Sequence, residues 1–360
     1  MLQGRDEEII LTVFPNPDED LPDDHNPYMY LMYKNIEKKN VKFIRNVGYL
    51  NRDLVFINKD KVQILHFYWN NAIDVDKNLF SLFFRLLIHS GLLLLARCKG
   101  FKLVETVNNL YPHDIKRRRY IIAILNFFHF KVMHKVLVFS DFEKQVLKAR
   151  FFCSEKKITL LKHVNYIDIA KRIPTLEARS KIGIESKDRI FIYFGAIRPY
   201  RGIDKLIEVF KTRKEILLMA GFTRDDKYKD HILDLCKNAG NIYTRIKVLT
   251  HADLCLYINA ADIVILPFNN VYSSGSIALA QSLGKPLITR DSPWIRSITA
   301  QESTLYFISR EDLIKILDES VKCDIDKMGN SAYEFVKDQT VEQTQTQLVD
   351  IYKDLLCKGK

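Results

Sequence analysis

Two short stretches gather residues whose types and spacing suit the binding of an anion. Ser273, Ser274, Gly275 and Ser276 stand between an apolar run at 263–266 and a helical pattern that stops at Gly284. A strand, a loop and a helix in that order leave backbone N–H groups and the positive end of a helix dipole in one place. Small residues there let the backbone close on a phosphate, although the same serines also read as an ordinary helix cap. The second stretch, Gly195-Ala196-Ile197-Arg198-Pro199-Tyr200-Arg201-Gly202, follows the apolar run 190–194 and precedes a helical pattern at 203–211. Its two arginines and flanking glycines make another strand-to-helix turn suited to a negative ligand. His113 and Asp114, adjacent in the loop after the strand pattern 102–107, offer acid/base chemistry instead. They read equally as a surface histidine beside the Pro112 turn. Asp225 and Asp226 have the look of a metal-binding carboxylate pair, but in a loop before a helical pattern they suit a helix cap better.

The elements that must position these residues alternate strand and helix along the whole chain. Apolar runs at 9–14, 41–44, 61–68, 102–107, 136–139 and 158–161 read as strands, with helices at 28–38, 79–97, after 119 and at 143–150. Trp69, Asn70 and Asn71 fall at the carboxyl end of the third strand, the edge where open α/β sheets bind ligands. Around 170–188 the pattern lapses into charged, polar chain with Pro174, which reads as an interdomain connection. A second alternation starts at 189, with strands at 190–194, 215–221, 243–249, 263–266, from 285 and at 303–308. Helices are expected at 203–211, 228–238 and 251–260, then from 311 onward, ending in a polar amphipathic helix over 345–356.

Composition places the chain among globular proteins: 360 residues, 47% hydrophobic and 28% charged, enough for two domains with separate cores. Six scattered cysteines without a CxxC pair, and a charged start, MLQGRDEE, without a secretory signal, point to a reducing cytoplasm. A net charge of +11 calls for an acidic partner. Residues 79–97 are almost wholly apolar but interrupted by Arg85, His89, Ser90 and Gly91, and they read as a helix partly buried and partly open to a membrane surface. Lys116-Arg117-Arg118-Arg119 leads into a second apolar-aromatic helix, a pattern suited to anionic lipid. No interleaved basic-aromatic groove favours nucleic acid.

The segments FGAIRPYRGIDKLIEVF, LYINAADIVILPF and SSGSIALAQSLGKPLI, in this order, resemble the carboxyl-terminal domain of GT-B nucleotide-sugar glycosyltransferases, near family 4. NPYMYLMYKNI, TVNNLYPHD and LKHVNY are similar to that family's amino-terminal landmarks, so the resemblance spans nearly the whole chain. It implies two doubly wound, Rossmann-like α/β domains facing across a cleft: 1–172 for the acceptor and the membrane, 173–336 for the sugar nucleotide, and a helix in 337–360 crossing back to the first. It further implies a transferase moving a hexose from a GDP- or UDP-sugar to a glycan or lipid-linked acceptor. No metal or other cofactor, no nucleic acid and an anionic membrane surface on the cytoplasmic side complete that expectation. By the resemblance Arg201 contacts the donor diphosphate and Arg198 is a second contact, while Ser274, Gly275 and Ser276 face the phosphates, with Gly195, Gly202, Gly221 and Ser273 in the same site. Many relatives carry two glutamates where Val271 and Leu279 stand here, and a histidine where Asn108 precedes Asn109. The variant is similar to a β-mannosyltransferase subgroup, which leaves retaining and inverting outcomes both open. An inverting reaction needs a base, for which His113 with Asp114 is expected and Asp18 or Asp20 are alternatives. The missing glutamates also admit a non-catalytic nucleotide- or glycan-binding subunit.

Overall fold

The computed structural model describes residues 8–22, 26–44, 62–68, 79–108, 119–268 and 275–357. The chain divides into two compact units. The first comprises Met1–Leu21, Tyr28–His163 and Val341–Lys360, and the second Pro22–Pro27 and Val164–Thr340.

In the first unit β1 (Ile9–Phe14), β2 (Val41–Phe43), β3 (Ile64–Tyr68), β4 (Lys102–Thr106), β5 (Lys135–Val138) and β6 (Ile158–Leu160) form a parallel sheet in the order β2-β1-β3-β4-β5-β6. Strands covered by helices on both faces must be apolar on both faces, and β3 is buried at every position. Among the described residues four helices interleave with them: α1 (Tyr28–Tyr33), α2 (Leu79–Cys98), α3 (Arg119–Val132) and α4 (Asp141–Phe151). The helix expected over 28–38 is broken. Asn35 and Asn40 adopt the left-handed conformation, at φ 58° and 62°, and a 3₁₀ turn covers Ile36–Lys39 between them. At the start of α4 the Ser140 side chain accepts from the Glu143 N–H, and the Glu143 carboxylate accepts from the Ser140 N–H, a reciprocal cap.

The second unit holds β7 (Ile190–Ala196), β8 (Ile216–Phe222), β9 (Ile242–Ile246), β10 (Ile263–Leu266), β11 (Leu287–Arg290) and β12 (Thr304–Phe307), again all parallel, in the order β12-β11-β10-β7-β8-β9. The first strand, β7, therefore lies between β8 and β10, and the winding reverses beside it. Ligands of open parallel sheets bind outside the carboxyl ends of strands at such a switch point. Its helices are α5 (Thr175–Ile182), α6 (Ile203–Phe210), α7 (Asp226–Cys236), α8 (His251–Ala260), α9 (Gly275–Ser282), α10 (Pro293–Ile298), α11 (Arg310–Ser320) and α12 (Ile325–Val336).

The polar segment 170–188 contains α5, which packs on α8. Its charge is partly internal: Arg179 pairs with Asp262 at 2.7 Å and donates to the Ala260 carbonyl, while the same Asp262 oxygen accepts from the Ile190 N–H. Asp225 caps α7 by accepting from the Tyr228 N–H, as its sequence position suggests. Lys285 is buried and donates to the carbonyls of Asn259 and Ala261, satisfying the end of α8 with a cation.

The last helix, α13 (Val341–Cys357), belongs to the first unit. Gln345 donates to the Leu31 and Lys34 carbonyls at the end of α1. Tyr352 reaches the buried His66 ring, its hydroxyl 2.5 Å from Nδ1, with Tyr33 at 3.0 Å and Thr106 on Nε2 at 2.8 Å. Among the described residues no helix is long and apolar enough to cross a membrane.

Candidate functional site

The carboxyl ends of β7 and β8 must come unusually close for a pocket to open beside them. Gly195 pairs with Gly221 in the β7–β8 register, and a Cβ on Gly221 would lie 1.9 Å from the Gly195 carbonyl oxygen. Gly195 itself has φ +105°, a conformation that a side chain disfavours. Gly202, at φ +75°, ends the 3₁₀ turn Pro199–Arg201 and starts α6. The chain thereby leaves β7, turns sharply and enters a helix, with both arginines of the turn beside the strand ends.

A cavity of about 330 Å³ lies there, within the second unit, a size suited to a small organic ligand. Arg198 and Arg201 line it together with Gly195, Gly221, Gly275 and Ser276. The two anion-suited stretches, about eighty residues apart in sequence, thus meet on one pocket, with the first two residues of α9 in its wall. Gly202 stands outside the wall and shapes the turn. Ser273 and Ser274 lie outside the described residues, as do Val271, Asn109, His113 and Asp114.

Arg201 is held by aromatic faces. Its guanidinium carbon is 4.2 Å from the Phe268 ring centre and 5.4 Å from that of Tyr200. Among the described residues no carboxylate pairs with it, and its buried Nε makes no hydrogen bond. The charge is therefore fixed in place without being neutralised. Tyr193, whose hydroxyl donates to the Ala196 carbonyl, stacks edge-on against the same Phe268, and burial holds its phenol well above the usual range. Leu279, on the α9 turn after Ser276, gives the pocket an apolar wall.

Other wall residues escaped the sequence reading. Phe222, Lys247, His251 and Leu254 come from the ends of β8 and β9 and the start of α8, and Asn26 and Tyr166 complete the rim. Strand-end position marks Phe222 and Lys247, and the helix start marks His251 and Leu254. Asn26 and Tyr166 stand in the landmark segments NPYMYLMYKNI and LKHVNY, but their pairing spans 140 residues of chain and no local pattern gives it.

In the first unit Asp18 is half-buried and Asp20 exposed, after β1. Asn108, two residues past β4, is buried, and its side-chain Nδ2 has no hydrogen-bond partner among the described residues. Deeper in that sheet, Glu105 is 3.1 Å from His129 Nε2, and His129 Nδ1 is 3.3 Å from His89 Nε2. Burial raises the Glu105 carboxyl well above its ordinary value and lowers His129 to about 4 and His89 to about 3. Contacts through these groups fasten α2 and α3 to β4.

Residues 175–334 match the family described as Glycosyl transferases group 1. Over 112 residues the chain is 26% identical to a GDP-mannose:glycolipid 4-beta-D-mannosyltransferase of Xanthomonas campestris pv. campestris, covering 30% of this chain and 31% of that relative. The match thus spans about a third of the relative's length. Among solved structures, a glycosyltransferase from Rickettsia africae ESF-5 superposes with a TM-score of 0.68 at 18% identity, covering 98% of this chain and 99% of that one. Anabaena HepE in complex with UDP-glucose gives 0.68 at 11% identity, over 96% and 99% of the two chains. These likenesses define the fold: two parallel α/β units of the GT-B type, the second of which is similar, over residues 175–334, to Glycosyl transferases group 1.

Proposed function

We propose that the protein is a glycosyltransferase that moves a hexose from a nucleoside diphosphate sugar, GDP-mannose or a UDP-sugar, to a glycan or lipid-linked acceptor. The observation that carries this reading is the meeting of Arg198, Arg201 and the amino terminus of α9 on one pocket at the switch point of the group 1 domain. The Xanthomonas relative's GDP-mannose donor and glycolipid acceptor support the substrate class.

In the proposed reaction the acceptor hydroxyl oxygen bonds the anomeric carbon as the bond from that carbon to the β-phosphate oxygen breaks. The electron pair leaves with the nucleoside diphosphate, and the hydroxyl proton passes to a base. Negative charge grows on the leaving phosphate, so donors already fixed around it lower the barrier without rearranging. Arg201, clamped by Phe268, Arg198 and the first N–H groups of α9 take that role in place of a metal ion. His113 with Asp114 is assigned the base, and Asp18 and Asp20 are the alternatives. Leu279 contributes no carboxylate to the donor side, and both retaining and inverting outcomes stay open.

Membrane attachment belongs to the same reading. On α2 the exposed apolar residues Phe84, Leu87, Ile88, Leu94 and Leu95 stand at spacings of three, four and seven positions, and on α3 Ile124 and Phe128 are four apart. With the basic run 116–119 leading into α3, these faces suit an anionic bilayer on the cytoplasmic side.

Incubation with a panel of GDP- and UDP-sugars, followed by slow donor hydrolysis and by transfer to a lipid-linked acceptor, tests the reading. Turnover that is lost in Arg201→Ala is expected. Binding without turnover under every acceptor condition contradicts catalysis and leaves a binding subunit.

A further inference from the structure

We propose that the amino edge of the first unit's sheet carries an anionic-lipid site, in which the exposed Phe152 ring enters the bilayer interface while Arg97, Lys102, Lys131 and Lys157 bind the phosphate groups around it. The inference deepens the membrane attachment proposed above and rests on it. Strands start, and the helices between them end, along that edge: α2 ends at Cys98 and β4 starts at Lys102, α3 ends at Val132 and β5 starts at Lys135, α4 ends at Phe151 and β6 starts at Ile158. Three helix carboxyl ends, each the negative pole of its dipole, gather cations there.

Phe152, the residue after α4, is the focus of this edge. Its backbone is left-handed, at φ 49° and ψ 35°, and its N–H donates to the Leu147 carbonyl to close the helix. Glycine usually fills that place, because a Cβ is strained there. Of the four non-glycine residues with positive φ among the described residues, Asn35, Asn40 and Asn238 are asparagines, which tolerate it, and Phe152 is the fourth. Its ring is 68% exposed and stands edge-on to Phe127, 6.3 Å between ring centres. The fold gains little from a ring left largely in water, so a backbone strained to hold it there points to a partner.

Cations surround the ring. Arg97 donates to the Val132 carbonyl, Lys157 to that of Lys131 at 2.8 Å and Lys131 to that of Phe152 at 3.1 Å. Each uses one N–H group in this way and keeps others for a ligand. None of the three, nor Lys102, pairs with a carboxylate among the described residues, and Glu155, two positions before Lys157, is held by Lys144 and Lys148 at 2.9 and 2.7 Å. The crowding shows in His134, whose imidazole is lowered to about 4 by burial and then by the charges of Arg97, Lys102 and Lys157. Exposed apolar residues lead to the same corner, Leu94 and Leu95 near the end of α2 and Ile124 and Phe128 on α3. Apolar side chains continuous with unneutralised cations fit a phospholipid surface, which offers phosphate outside and hydrocarbon beneath. A nucleic acid matches the charge but leaves the aliphatic side chains uncovered.

The test is co-sedimentation of the wild type, Phe152→Gly, Lys131→Gln and Arg97→Gln with vesicles of phosphatidylcholine alone and of phosphatidylcholine mixed with phosphatidylglycerol. Binding of a single-stranded oligonucleotide is measured beside it. Phe152→Gly is the informative variant, since glycine accepts the left-handed backbone without strain. Its urea midpoint should equal or exceed that of the wild type, while its affinity for the mixed vesicles falls severalfold. Each charge variant should lose about fivefold on the mixed vesicles, the effect of one cation near an anionic leaflet, and should bind neutral vesicles as the wild type does. The proposal is overturned if Phe152→Gly keeps full affinity, or if its midpoint falls, which makes the ring a packing element. It is also overturned if either charge variant binds mixed vesicles as tightly as the wild type. Tighter binding of the wild type to the oligonucleotide than to the mixed vesicles assigns the corner to nucleic acid and overturns it too. A wild type that pellets with neither vesicle instead sinks the membrane reading itself.

Discussion

Arg201 is positioned by ring faces and has no carboxylate partner among the described residues, so its removal takes away charge while breaking no ion pair with them. Arg201→Ala should lower kcat/KM about 10²- to 10³-fold, the range for losing one fixed donor to a developing oxyanion, with little change in the unfolding midpoint. Arg201→Lys should restore little, because an ammonium cannot stack flat on Phe268. Steady-state kinetics with the preferred sugar nucleotide checks both. Gly221 tests the opposite dependence. A methyl group 1.9 Å from the Gly195 oxygen forces β7 and β8 apart at the pocket, so Gly221→Ala should cost about 1–3 kcal/mol in urea unfolding and abolish nucleotide binding. At this scale the sequence exposed what is local. The arginine-glycine turn and the helix opening at 275 announce themselves by residue type, whereas Asn26 acquires its place only when Tyr166, 140 positions away, comes beside it.

Among the elements, apolar runs identified the buried parallel strands because both sheet faces are covered. The segment 170–188 hid α5, since polar composition cannot distinguish a solvated connection from a helix that uses an arginine as an internal tie. Arg179→Ala leaves Asp262, only 17% exposed, with the Ile190 N–H and a longer contact to Arg189 at 4.0 Å. The expected loss is about 3 kcal/mol in the urea stability of the second unit, as for breaking other buried pairs, and an unchanged midpoint would show the pair to be idle. Similarly, the helix expected over 28–38 stops where Asn35 goes left-handed, a local choice that hydrophobic spacing does not encode. The buried histidines give the first unit an acid sensitivity. His66, His89 and His129 have pKa values lowered to about 3, 3 and 4, so the unfolded chain binds protons below pH 6.5 that the native unit refuses. Their stabilisation is complete above pH 6.5 and is lost as the pH falls toward 3, by about 1.4 kcal/mol for each unit of pKa difference. Glu105, raised by burial, acts oppositely: its contribution is whole at low pH and declines as the pH rises through its native value. With three histidines against one carboxyl, the urea midpoint should fall from pH 7 to pH 4, and His129→Gln should flatten the slope.

For the molecule as a whole, a net charge of +11 and the bare apolar stripe on α2 belong to one account of where the protein works. Replacing Leu87 and Ile88 by glutamate removes apolar area that is already exposed, so folding should be unaffected while co-sedimentation with phosphatidylserine vesicles drops severalfold; equal pelleting of variant and wild type would refute the membrane face. The two-unit alternation was legible from the sequence because strand and helix periods differ, and the donor-side turn because its chemistry is carried by backbone and arginine. The most direct measurement of the central claim is transfer of labelled hexose from GDP- and UDP-sugars to a lipid-linked acceptor by wild type and Arg201→Ala in parallel. The account predicts product from at least one sugar nucleotide with the wild type and a loss of about 10²-fold or more with the variant. Product formed equally by both proteins would contradict it.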